Sequence, residues 1–122
     1  MKTLQQIFDQ AYNGILAQGG QSSDTVGRCM YRGPGGRKCA VGHLLPDALY
    51  HRSMEGQAVD YSTRVLGSAL LQAGIDMEDR PTKNLVIRMQ AIHDDIYGGN
   101  FLEEFKSSMR ALAIENNLEV PQ

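Results

Sequence analysis

Apolar positions follow a helical period along most of the chain. Leu4, Ile7, Phe8, Ala11, Ile15 and Leu16 recur at steps of three and four residues, a spacing that gathers them on one face of a 3.6-residue helix. Thr3 stands before them with Gln6 three positions on, the capping-box pattern, and Gly19-Gly20 follows, so a first helix is predicted from about Leu4 to Gln18. Val65, Leu66, Ala69, Leu70 and Ala73 mark another helix, with Asp60 or Ser62 as N-cap and Gly74 as its stop. Pro81 and Thr82 open a fourth element, whose stripe is Leu85, Met89, Ile92 and Ile96 before Gly98-Gly99. Asn100 and Glu103 pattern a capping box for a fifth, which buries Leu102, Phe105, Met109 and Leu112.

Two stretches break this period. Residues 41–50 are apolar but interrupted by Gly42 and Pro46, which predicts short helical turns forming a packed connector rather than one helix. From Gly27 to Gly42 the chain places Gly33-Pro34-Gly35-Gly36 between two short arms, a pattern that predicts a β-hairpin with an open register between Cys29 and Cys39. The expected fold class is therefore mainly α, strictly α+β: a small helical bundle carrying one two-stranded β-hairpin. Residues 1–122 are expected to form a single domain, since the length suits one core and no repeat, low-complexity tract or linker divides it.

Composition changes this picture little. A hydrophobic fraction of 42% and a charged fraction of 21% are those of an ordinary globular protein. No apolar run nears the roughly 20 residues of a membrane span. The polar start Met1-Lys2-Thr3-Leu4-Gln5-Gln6 has no apolar signal core, so a cytoplasmic location in a bacterial host and free thiols at Cys29 and Cys39 are expected. Charge adds more. The net charge of −2 argues against general nucleic-acid binding, yet four cations and no acid lie between Arg28 and Lys38, while the rest of the chain holds 8 cations against 14 acids.

That local excess is the main candidate for chemistry. Arg32, Arg37 and Lys38 flank glycines whose amides can approach an anion, with Arg32 as the forked contact and Lys38 a point charge beside it. Tyr31, His93 and Tyr97 are the other candidate ligand-binding residues, the last two as pocket walls if the fourth helix packs behind the hairpin. The bland alternative is a tight turn with a solvated cationic tip. No P-loop is present, because no Gly-Lys-Ser/Thr follows the glycines. Cys29, Cys39, His43 and His51 include zinc-ligand types, but two thiols separated by a whole hairpin lack knuckle spacing, so neither metal nor cofactor is expected. A thiol enzyme pairing Cys29 or Cys39 with His93 as base is a further alternative. Asp94-Asp95 reads as a solvated helix face.

The stretch Cys29-Met30-Tyr31-Arg32-Gly33 through Arg37-Lys38-Cys39-Ala40-Val41-Gly42-His43-Leu44-Leu45-Pro46-Asp47 resembles a group of short bacteriophage and prophage proteins. The likeness extends to Leu4-Gln5-Gln6-Ile7-Phe8-Asp9, Met54-Glu55-Gly56 and Gln90-Ala91-Ile92-His93-Asp94; His43 stands where the group often has cysteine. The resemblance implies a phage-type accessory protein and brings no established activity. Together with the basic segment it leads to the expectation of a protein binding an anionic, phosphorylated and possibly nucleotide-derived small molecule, countering host defence signalling. The alternatives are a protein-binding inhibitor of a host defence or regulatory complex, and a thiol- or metal-dependent enzyme, the enzyme being the less expected class.

Overall fold

The computed structural model describes residues 1–23, 30–56, 64–97 and 99–121. Its helices are α1 (Leu4–Gln18), α2 (Ala40–Leu44), α3 (Arg64–Gln72), α4 (Arg80–Asp94) and α5 (Phe101–Glu115), with 3₁₀ turns at Pro34–Gly36, Asp47–Leu49 and Arg52–Met54. The first helix has the predicted bounds. Its capping box closes in both directions: the Gln6 amide donates to Thr3 Oγ1 at 3.1 Å, and the Thr3 amide to Gln6 Oε1 at 2.8 Å.

Side-chain burial follows the sequence stripes in large part, but Val65 of the expected α3 stripe is 49% exposed, and Ile92 and Leu102 are only partly buried because they lie at the edge of the core. Ile7, Phe8, Ala11, Tyr12 and Ile15 of α1 face Leu85, Val86 and Met89 of α4 and Phe105, Met109 and Leu112 of α5 in one core. Aromatic rings cross it in a chain: Phe8 stacks on Tyr12 at 5.7 Å, Tyr12 on Phe105 at 6.1 Å, and Phe105 on Phe101 at 5.7 Å. Phe101 in turn meets the edge of His93 at 5.6 Å. The tail after α5 returns to α1, where the Gln5 side chain pairs with the Glu119 backbone through bonds of 2.8 and 2.9 Å.

The expected hairpin is unsupported: among the described residues there is no strand, and Ser23 carries only an isolated bridge. The N-terminal arm from Gly27 to Cys29 lies outside the described residues, as do the cap candidates Asp60 and Ser62 and the terminator Gly98. The other arm is helical from Ala40, with Cys39 as its N-cap, and a bond across the Gly-Pro-Gly-Gly turn runs from the Gly33 amide to the Arg37 carbonyl at 2.8 Å. Gly35 and Gly36 both sit at positive φ, 74° and 76°, a conformation that glycine adopts at no steric cost. The connector after it does consist of short helical turns, as its Gly and Pro predict.

Two helix ends also differ from expectation. Asp79 is the N-cap of α4, which starts at Arg80 with Pro81 in its first turn: the Asp79 carboxylate accepts the Thr82 amide at 3.2 Å and the Thr82 hydroxyl at 2.6 Å. Asn100 is the N-cap of α5 but makes no side-chain capping bond, so its expected box with Glu103 is absent. At φ −112° and ψ 42° its backbone lies outside the extended conformation that N-cap residues usually adopt.

A helix of five residues does not hold itself together in water, and α2 is held from outside. Its residues Ala40, Val41, Gly42 and Leu44 are buried between α1 and α4. Gln90 of α4 accepts the Val41 amide at 3.0 Å, and Gln10 of α1 donates to the His43 carbonyl at 2.7 Å. Gln18 clamps the approach to the helix: its Oε1 accepts the Lys38 amide at 2.8 Å while its Nε2 donates to the Lys38 carbonyl at 2.7 Å. Bare backbone is needed where these parts touch. A Cβ on Gly14 would collide with the His43 ring, and one on Gly42 with the Tyr31 carbonyl.

Candidate functional site

Residues 30–56 hold one five-residue α-helix and three single 3₁₀ turns, and an unpaired buried amide or carbonyl costs about as much as a lost hydrogen bond. Two side chains supply the partners. Glu55 accepts the Tyr31 amide on Oε1 and the Arg32 amide on Oε2, both at 3.0 Å, and the Tyr50 hydroxyl on Oε2 at 2.7 Å. Arg32 donates from Nη1 to the carbonyls of Tyr31 (3.1 Å) and Gly42 (2.9 Å), and from Nη2 to that of Leu45 (2.6 Å). Its Nε and Nη2 both reach Asp47 Oδ1, at 3.0 and 2.9 Å, and its guanidinium lies 4.8 Å from the Tyr50 ring centre.

A guanidinium has five N–H donors, and each of Arg32's is thereby directed at an oxygen of the same chain. Its side chain is 17% exposed. The successive amides of Tyr31 and Arg32, rather than those of the glycines, form an anion cradle, and Glu55 fills it. Lys38, with its side chain 31% exposed, stands 3.7 Å from Asp47. Arg37 alone of the three cations is exposed, lying across Gly20 with Nη1 3.5 Å from the Gln21 carbonyl.

The other expected ligand-binding residues differ in exposure, and of them Tyr31 adjoins Arg32, whose Nη1 donates to its carbonyl. Tyr31 is 5% exposed and His93 has no exposed surface, whereas Tyr97 is 80% exposed. His93 is bonded on both ring nitrogens: Nε2 accepts the Ser22 amide at 3.1 Å, so Nδ1 carries the proton and donates to Asp94 Oδ1 at 2.9 Å. Gln21 fastens the same segment, donating to the carbonyls of His93 (2.6 Å) and Ile96 (3.2 Å) at the end of α4. Of the Asp94-Asp95 pair, only Asp95 is exposed; Asp94 is partly buried against His93.

Cys39 is buried and free, and its Sγ accepts the Gly42 amide at 3.4 Å. Burial pushes its thiol up to about 12 despite that bond, the opposite of what a nucleophilic cysteine requires. Cys29 lies outside the described residues. His43 donates from Nε2 to Gln18 Oε1 at 2.8 Å, because that oxygen can only accept. Its pKa falls to about 4 through burial first and then the charges of Lys38, Arg32 and His93. His51 is exposed and bonds Ser53. No group of three or more His, Cys, Asp or Glu side chains among the described residues is placed to hold a metal ion, and no helix among them is long and apolar enough to cross a membrane.

Glu55, Asp47 and Gln18 are the residues that reading for cations overlooks. A signal for Glu55 exists in Met54-Glu55-Gly56, where the acid has no charged neighbour on either side. No protein-family model, curated protein or solved structure matches the chain.

Two outcomes follow. Replacing Arg32 by lysine, which has no planar fork to serve three carbonyls, is expected to cost about 2–4 kcal/mol in urea unfolding. Asp47→Asn, which alters a carboxylate 80% exposed, should cost under about 1 kcal/mol; equal effects would contradict the assigned division of labour. The second concerns pH. The folded state holds a proton on His43 less well than the unfolded chain, so His43's contribution is complete above about 6.5 and is lost as pH falls from 6.5 toward 4. The half-buried ring limits the slope to well below ~1.4 kcal/mol per pH unit. Subtracting the stability curve of His43→Gln from that of the wild type should leave this slope, and parallel curves would refute it.

Proposed function

We propose that this chain is a phage-type accessory protein that acts by binding a protein partner, as an inhibitor of a host defence or regulatory complex. The observation that carries this reading is a groove between the 3₁₀ turns of residues 47–54 and α3, where Leu49, Tyr50, Met54, Val65 and Ala69 offer an apolar floor and Ser68 and Gln72 a polar rim. Val65 is 49% exposed there. An apolar floor with a polar rim is the anatomy of a protein-binding patch. The resemblance to small phage proteins supports the biological setting. By contrast, Arg32 and the Tyr31 and Arg32 amides, the strongest anion-binding groups of the segment, already serve Asp47, Glu55 and the α2 carbonyls.

The second reading, a phosphorylated and possibly nucleotide-derived small molecule, keeps support from one observation: Arg37 is exposed beside the Pro34–Gly36 turn, with Lys38 next to it. One comparison separates the two. Quantitative affinity purification from bacterial cells is expected to recover a host protein with the wild type and to lose it with Val65→Glu at an unchanged melting temperature. The purified pair should then bind directly. A melting shift with nucleotides or inorganic phosphate that disappears in Arg37→Ala, with no partner sensitive to Val65, would replace the protein-binding reading with the small-molecule one.

A further inference from the structure

A second surface, away from the groove just described, lies along the outer side of the α4–α5 pair. Its floor is made of small or partly buried side chains, Ala91, Ile92, Ser107 and Ser108. Its charges are segregated: Arg88 stands at one end, and Asp95 and Glu104 stand at the other. Arg88 and Asp95 are seven residues apart on one helix, about 10 Å along the axis. The stripe of α5 bearing Ser107 and Ala111 continues at helical spacing to Ile114, which is 72% exposed.

We infer that this groove is where two copies of the chain meet, antiparallel across a two-fold axis near Ala91 and Ser108. A two-fold contact pairs a surface with itself, so residue i of one copy meets residue j of the other and the reverse. A groove with a cation at one end and two acids at the other is complementary to its own rotated copy: Arg88 of each protomer faces Asp95 and Glu104 of its partner, twice over. Arg88 is also 3.3 Å from Glu115 of its own chain; since both side chains are 55% exposed, that bond is weak and the guanidinium keeps donors for a second carboxylate. A parallel arrangement would set like charges against each other. Small floor residues let the helices approach, and Ile114, otherwise in water, gains cover at the rim. The face of two 15-residue helices is small for an obligate dimer, so the association is a reversible one in the micromolar range.

The test is sedimentation velocity on the full chain, from low micromolar to near-millimolar concentration, at low and high salt. The wild type should pass from monomer to dimer, and salt should weaken the dimer. Arg88→Glu should raise the dissociation constant by at least about tenfold, Glu104→Arg should also weaken it, and an equimolar mixture of the two variants should associate more tightly than either alone. Glu115→Gln, which removes only the intrachain partner, should leave the dimer intact. A wild type that stays monomeric throughout, or a mixture that associates no better than its components, would overturn the inference.

Discussion

Backbone without a strand partner must still have its amides and carbonyls satisfied, and in this chain one pair of oppositely charged residues does most of that work. Glu55 takes the amides of Tyr31 and Arg32; Arg32 takes the carbonyls of Tyr31, Gly42 and Leu45. The two are reciprocal, since Glu55 holds the backbone of the residue whose side chain holds α2. With Gln10, Gln18 and Gln90 closing the other sides, a five-residue helix becomes a fixed part of the core between α1 and α4. Charge-assisted bonds are roughly twice as strong as neutral ones, which suits them to a segment with little regular hydrogen bonding of its own.

This arrangement turns a chemical signal inward. Cations flanked by glycines are what an anion site requires, but the anion that Arg32 and Lys38 meet is Asp47 of the same chain, and Glu55 occupies the amides of Tyr31 and Arg32. Partial burial and the bond to Glu55 raise the Tyr50 phenol above its usual value, so it remains a donor to that carboxylate. What faces solvent is different in character: the apolar groove beside α3, the exposed Arg37 and the charge-segregated face of α4 and α5. These are the surfaces on which the proposed association rests.

The long helices were legible because their determinants are local. Thr3 and Gln6 lie within one turn of each other, and the stripes of α4 and α5 are set by spacing alone. The hairpin expectation gained no support for the converse reason. Its turn residues are those of a hairpin, but the partners of Tyr31 and Arg32 lie some twenty residues later at Glu55, and the partner of Lys38 lies twenty residues earlier at Gln18. Such pairings have no period. Cys39 looked reactive by residue type, whereas its burial depends on α2 being pressed between α1 and α4. His93 looked like a pocket wall at the edge of a stripe; in the fold it binds the Ser22 amide, a contact across 71 residues.

Native-state hydrogen exchange at the Tyr31 and Arg32 amides tests the central claim most directly, since the charged clasp is the stated reason for their protection. Both amides are predicted to exchange orders of magnitude more slowly than an unstructured peptide in the wild type, and to lose that protection together in Glu55→Ala while the amides of α5 keep theirs. Unprotected amides in the wild type, or protection that survives Glu55→Ala, would contradict the account.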